Sequence, residues 1–286
     1  MAPPPERQRA SPFRSPGFVR NLFVVPLLHR LTRSAHIHGD VADRFKRHLS
    51  TGRLLDLPAG DGVNTRGLVA GGYEVVAGDL FPDECAGEDY EVKKVNLLDR
   101  PLPFEDESFD GILHSEGIEH LDAQVGVLRE LARILKPGGV LIVTTPNVLN
   151  LHQRVAHVLT GHAHPHRALV VSTAAYWGDQ GRPPPETADD QVYFGHVFLI
   201  NAFQLRFYLE HVGLEVVEVD TARYSINALF WAPFLYPWVW LATWRGLRGR
   251  RSKLPKAKQR EIRKQMLSGA VLFGRKLIMV ARKPAV

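Results

Sequence analysis

From residue 53 onward the chain alternates short apolar runs with longer stretches of helical periodicity. "RLLDL" (53–57), "EVVAG" (74–78), "YEVKKV" (90–95), "FDGILH" (109–114) and "VLIVTT" (140–145) read as strands. Between the last two lies "VGVLRELARILKPGG", whose apolar positions recur at helical spacing. Parallel strands need such crossover segments between them. Further on, "NAFQLRFYLEHVGLEVVEVD" predicts an amphipathic helix ending at Gly213 and a strand at 214–219. "RKLIMVARK" (275–283) is the last strand candidate. Seven strands in this rhythm predict a doubly wound α/β domain, taken to run over 51–286. Residues 17–50 predict an N-terminal helical addition, and 1–16, rich in proline and arginine, a disordered tail. The stretch 146–196 is irregular and would form a lid on the acceptor side. Residues 226–264 predict a helical insertion, first apolar and then basic, ahead of the last strand.

Charge sharpens that last feature. The chain of 286 residues carries a net charge of +6, yet Arg245 to Lys264 alone holds ten Lys/Arg against one acid, Glu261. That segment is +9, so the remainder sums to about −3. Before it, "INALFWAPFLYPWVWLATW" (226–244) holds four of the five tryptophans. Its length is near the ~20 residues of a membrane span. Pro233, Pro237 and the aromatic content favour an interfacial or re-entrant segment instead. An aromatic block beside a polybasic one is a two-signal pattern for an anionic membrane surface. A hydrophobic cap packed on the domain and followed by a solvated basic helix is the competing expectation. Cys85 is the only cysteine, which excludes a disulfide framework and a cysteine-based zinc site. With no apolar leader at the start, the expected location is cytoplasmic, or peripheral at the inner face of the membrane.

In a doubly wound sheet the ligand sits beyond the carboxyl ends of the strands, beside the first of them. The turn there is "LLDLPAGDGVNT", where Gly60 and Gly62 permit close backbone approach. Neither the G-x-G-x-x-G fingerprint nor the G-x-x-x-x-G-K-[ST] loop is present, so a pyrophosphate is poorly served and an oxidoreductase is disfavoured. Asp79 ends the second strand, placed for ribose hydroxyls, and Asn96 ends the third, placed for an adenine edge. A nucleoside without a pyrophosphate fits best.

"LLDLPAGDG", the "GD" at 78–79, "LPFEDESFDGILHSEGIEHL" and "LRELARILKPGGVLIVTTPN", in this order and spacing, resemble the successive motifs of the class I S-adenosylmethionine-dependent methyltransferases. The similarity runs from about residue 50 to 150 and resumes at 196–219, roughly half the chain. It implies a Rossmann-like, mostly parallel seven-stranded sheet whose final strand is antiparallel. It also implies S-adenosylmethionine held by Asp56, Pro58, Gly60 and Gly62 at the first turn and by Asp79 with Leu80 at the ribose. Asn96 with Leu97 would lie near the adenine, and His114 and Ser115 complete the expected cofactor-binding set. Asp99 competes with Asn96 for the adenine role. The family usually has glycine where this chain has Pro58, which has no N–H and a fixed φ, so the first turn must take another shape.

The stretch "HSEGIEHL" (114–121) follows the fourth strand, on the rim where a methyl group would be presented. On one turn of helix Glu116, Glu119 and His120 would share a face. His120 is the best base candidate for an acceptor hydroxyl, with Glu119 beside it. Small-RNA 2′-O-methyltransferases and some ubiquinone-pathway O-methyltransferases carry a Glu-x-x-Glu-His turn that binds a divalent ion. That resemblance implies a metal set of Glu116, Glu119, His120 and, from the later region, His196, for Mg²⁺, Mn²⁺, Fe²⁺ or Zn²⁺. Alternatively the acids cap the following helix. The histidines of "HAHPHRA" (162–168) have metal-binding spacing but read better as a polar lid. The sequence thus predicts O-methylation of a small-molecule, glycan or lipid-linked acceptor. RNA 2′-O-methylation and a non-catalytic membrane-associated binding protein are the rivals. Nucleic acid is disfavoured because the basic segment contains no aromatic stacking platform.

Overall fold

The computed structural model describes residues 41–85, 87, 89–161, 198–248 and 255–285. The tail at 1–16, the helical expectation for 17–40, the lid expectation for 162–196 and the "HAHPHRA" cluster lie outside the described residues.

Seven strands form one sheet: β1 (Arg53–Asp56), β2 (Glu74–Asp79), β3 (Glu91–Lys94), β4 (Phe109–Ser115), β5 (Leu135–Pro146), β6 (Glu215–Asp220) and β7 (Lys276–Arg282), in the order β3-β2-β1-β4-β5-β7-β6. β1 to β5 pair in parallel, while β7 runs antiparallel to both β5 and β6. The mostly parallel, doubly wound sheet expected from the sequence is therefore the fold observed. Its order reverses at β1 and β4, and the switch point opens a crevice at their carboxyl ends.

Side chains alternate across the sheet and are buried on both faces. Leu55, Ile112, Leu141 and Val143 meet Val127, Leu128 and Leu131 of α3 (Gln124–Ile134) and Leu205 and Leu209 of α5 (Ala202–His211). On the opposite face Leu54, Val75, Leu113, Val140 and Ile142 pack with Val41 and Phe45 of α1 (Val41–Lys46) and Leu68 of α2 (Val63–Ala70). Each such leucine, fully buried, is worth about 1.5–3 kcal/mol. The short α1 is thus part of the core, and Arg44 within it pairs with Asp220 of β6 at 2.8 Å.

Part of the stretch read as irregular is helical: α4 covers Leu151–Thr160. Its start is fixed by Asn150, whose side chain accepts the Gln153 N–H, and its end by Gly161 in the left-handed region. α5 begins with a full capping box, Asn201 and Gln204 satisfying each other's backbone N–H groups. The C-terminal insertion is α6 (Ile226–Arg248), α7 (Lys256–Met266) and α8 (Gly269–Phe273).

Asn147, at the end of β5, binds this insertion to the sheet. Its buried amide donates to the carbonyls of Ala270, Val271 and Gly274 at 3.0, 3.0 and 2.9 Å. Removing the donor takes the Asn147 partner from the Val271 carbonyl, while Ala270 keeps the Gly274 N–H and Gly274 the Asn150 amide, a penalty of about 1–3 kcal/mol. Asn147→Ala should lower the unfolding free energy by that amount in urea titration; unchanged stability would show that the α8 carbonyls find water.

Candidate active site

The turn after β1 is held open by the carboxylate that ends β2. Asp79 Oδ2 accepts the Gly60 N–H at 2.8 Å, and its Oδ1 accepts the Phe81 N–H at 2.9 Å. One nearly buried side chain therefore braces the loops after both strands. Gly60 has φ +56° and a Cβ there would meet nothing within 4 Å, so the backbone faces open space. Gly62, at φ +70°, is instead hemmed in, its Cβ position 2.8 Å from the Tyr90 hydroxyl. Under the loop Asp56 is fully buried and accepts the Thr65 hydroxyl at 2.7 Å. Its Oδ1 has no hydrogen-bond partner among the described residues. Burial pushes the Asp56 carboxyl up to about 7, against the Thr65 hydrogen bond, with Asp79 and Asp61 adding repulsion.

Beside this loop lies a pocket of about 390 Å³. Of the residues expected to hold a cofactor, Pro58, Asp79, Leu80, Asn96 and Leu97 line it. Phe81, Val95, Leu98 and Leu121 complete an apolar wall that the sequence reading missed. They lie within two residues of polar positions named from the sequence, but nothing in an apolar residue marks it as ligand-facing. Asn96 turns its Oδ1 to the Leu98 N–H and its amide to Asp99, so Asp99 supports the turn while Asn96 borders the pocket. Pro58 explains Gly117: a Cβ there would lie 2.7 Å from the Pro58 ring. Asp56, Gly60, Gly62, His114 and Ser115 stand behind the lining. His114 is fully buried, and its Nδ1 donates to the Leu57 carbonyl at 2.6 Å. Burial lowers its basicity to about 4, so the ring stays neutral and positions the loop. Ser115 pairs its hydroxyl with Thr144 at 3.0 Å.

The expected shared face of Glu116, Glu119 and His120 does not form. Glu116 sits at φ +53°, ahead of a 3₁₀ turn over Ile118–His120, so the three leave the chain in different directions. Glu116 is held by Lys276 of β7 at 2.9 Å and by the Thr144 hydroxyl at 3.0 Å, while lining the pocket. Glu119 points inward, fully buried, and accepts the Thr145 hydroxyl at 3.0 Å. Only His120 and Glu116 reach the pocket. Neither acid caps α3, whose N-cap residue is Ala123 and which has no side-chain cap. Among the described residues no three His, Cys, Asp or Glu side chains converge as a metal group: Glu116 pairs with Lys276 and Glu119 faces the core. His196 lies outside the described residues.

Burial, and then repulsion from Glu116, raises the Glu119 carboxyl to about 8. Between pH ~4.5 and that value the unfolded chain releases a proton that the folded chain keeps. Stability from this group is therefore complete at low pH and declines as pH rises, by at most about 1.4 kcal/mol per pH unit. Glu119→Gln cannot ionise, so its stability relative to the parent should increase from pH 5 to pH 8 in urea titrations. A constant difference would place Glu119 in contact with water.

A family model described as a methyltransferase domain matches residues 29–219, more than half of the chain. A demethylmenaquinone methyltransferase of Mycobacterium sp. (strain KMS) is 42% identical over 92 residues, 32% of this chain and 40% of that protein. The protein of the same name from Mycobacterium tuberculosis (strain ATCC 25177 / H37Ra) is 33% identical over 143 residues, 45% of this chain and 61% of its own length. The match thus spans less than two thirds of these curated relatives. Among solved structures, a SAM dependent methyltransferase from Archaeoglobus fulgidus superposes with a TM-score of 0.50 at 17% identity, covering 86% of this chain and 94% of that one. That likeness concerns the fold. With the matching domain, the strand order and the crevice at β1 and β4 in agreement, the chain belongs to the methyltransferase-domain family of class I fold.

Proposed function

We propose that the protein transfers the methyl group of S-adenosylmethionine to an oxygen of a small, largely apolar acceptor, with His120 receiving the acceptor's proton. The observation that carries this is the pocket itself, which is lined by both the ribose-type carboxylate Asp79 and the His120 imidazole. The residues fit the cofactor. Asp79 keeps free lone pairs on both oxygens after accepting two N–H groups, enough for ribose hydroxyls. Leu80, Phe81, Leu97 and Leu98 offer an apolar slot for a flat base, with Asn96 at its edge. Asp61 and Asp79 flank the buried Asp56 at the first loop, acidic side chains suited to a ligand that carries sulfonium and ammonium charges.

When bound there, the cofactor supplies a methyl group on a positively charged sulfur, which an acceptor oxygen displaces. The chain's own part is alignment and proton removal. Pro58 and Gly117 shape the wall through their close packing, and an imidazole nitrogen of His120 takes the hydroxyl proton as the new O–C bond forms. Glu116 also lines the pocket, its carboxylate fixed by Lys276. The name shared by the curated relatives supports a small-molecule acceptor.

A mass-spectrometric screen of small phenols, quinols and hydroxylated lipids should find a methylated product that carries the label of methyl-labelled S-adenosylmethionine. Two variants then divide the site. Asp79→Ala loses a charge-assisted partner worth roughly 1.5–3 kcal/mol and should weaken cofactor binding about tenfold to a hundredfold with the fold intact. His120→Gln should leave that affinity unchanged and lower kcat by about 10²–10⁴-fold. Full turnover by His120→Gln would remove the imidazole from proton transfer, and unchanged affinity in Asp79→Ala would remove the carboxylate from the cofactor.

A further inference from the structure

One large feature takes no part in that chemistry. Among the described residues α6 is packed on one side: Ala228, Trp231, Ala232, Leu235 and Val239 meet Leu151 of α4 and Leu272 and Phe273 of α8. Its opposite side displays Ile226, Phe230, Phe234 and Trp238 at four-residue spacing, between 60% and 69% exposed, flanked by Tyr236 and Trp240. At 100° per residue these six occupy one continuous arc of the helix. An apolar face this long is not an ordinary surface and marks something that covers it.

α7, which packs against α6, carries the charge. One of its sides is anchored to α5, where Arg206 and Glu210 meet Glu261 and Lys258, and where Gln265 donates to the Ala202 carbonyl. Its exposed positions Lys256, Arg260 and Lys264 again fall at four-residue spacing, forming a basic stripe. They belong to the +9 segment 245–264.

We propose that α6 and α7 together dock the protein on an anionic lipid surface, the apolar stripe entering the headgroup boundary and the basic stripe facing the lipid phosphates. Charge complementarity selects this occupant over a second copy of the chain, because a twofold pairing through the same patch would bring two +9 segments together. The helix rests in the interface and does not span: no described helix is long and apolar enough to cross a membrane. Pro233 and Pro237 are both exposed on the outer arc. Lacking N–H groups, they leave the Leu229 and Pro233 carbonyls without helical donors, which water and headgroups can satisfy and hydrocarbon cannot. Aromatic side chains of this kind, tryptophan above all, settle at that depth. α4, on which α6 rests, follows the carboxyl end of β5, so the docked face lies on the acceptor side of the sheet. Docking does not depend on the methyl-transfer proposal, and the assay needs neither cofactor nor acceptor.

The intact protein would be sedimented with vesicles of phosphatidylcholine, with and without phosphatidylglycerol. Each basic residue at such a surface contributes about fivefold to partitioning. Binding should therefore require phosphatidylglycerol and fade toward 1 M salt, where the screening length falls to about 3 Å. Replacing Phe230, Phe234 and Trp238 by Ser should reduce binding at least tenfold, as should replacing Lys256, Arg260 and Lys264 by Glu. Both variants alter exposed positions, so their circular-dichroism melts should match the parent. Equal binding to neutral vesicles, no binding to anionic ones, a dimer that the Ser variant abolishes without any lipid binding, or selective binding of RNA in place of vesicles would each overturn the proposal.

Discussion

The two hydrogen bonds that Asp79 accepts, from Gly60 and from Phe81, are the constraint on which the site depends. A parallel sheet leaves the carboxyl ends of β1 and β2 without hydrogen-bonded continuation, and the loops leaving them must find other partners. A carboxylate at the end of β2 satisfies both loops at once and remains an acceptor toward the crevice. Gly60 can answer it because a left-handed φ turns its N–H toward the carboxylate and leaves no side chain in the space beyond. The pocket exists because these two loops stay apart.

The other buried groups obey the same economy of partners. Asp56 and Glu119 sit where ionisation is costly, and they accept the hydroxyls of Thr65 and Thr145. Glu116 is partly exposed, and Lys276 reaches it from the antiparallel strand β7. Two glutamates three residues apart thus have opposite environments, one facing the core and one facing the pocket. His114 and His120 divide in the same way: the first is sealed against the Leu57 carbonyl, the second is at the pocket wall.

Periodicity was enough for the sheet, because a strand buried on both faces writes an unbroken apolar run, as in "VLIVTT", and crossovers of helical spacing separate such runs. The polar ends of strands, Asp79 and Asn96, were legible for the same reason: a carboxylate or amide directly after an apolar run has only the crevice to face. The arrangement of Glu116, Glu119 and His120 was not legible. Their spacing fits a helical turn, but a positive φ at Glu116 and a 3₁₀ turn send them apart, and Lys276, 160 positions later, pairs with Glu116 alone of the two acids. Nor was α4 foreseen, because its apolar residues are few and its boundaries depend on Asn150 and Gly161. The wall formed by Phe81, Val95, Leu98 and Leu121 escaped because apolar residues beside a strand end read as core.

The central claim is that the crevice at β1 and β4 binds S-adenosylmethionine through Asp79. Calorimetric titration of the unaltered protein with S-adenosylmethionine, S-adenosylhomocysteine and NAD tests it most directly. The account predicts saturable binding of one S-adenosylmethionine per chain, competed by S-adenosylhomocysteine, with no binding of NAD because the first loop lacks a pyrophosphate cradle. Saturable binding of NAD, or no heat with either sulfur compound, would contradict it.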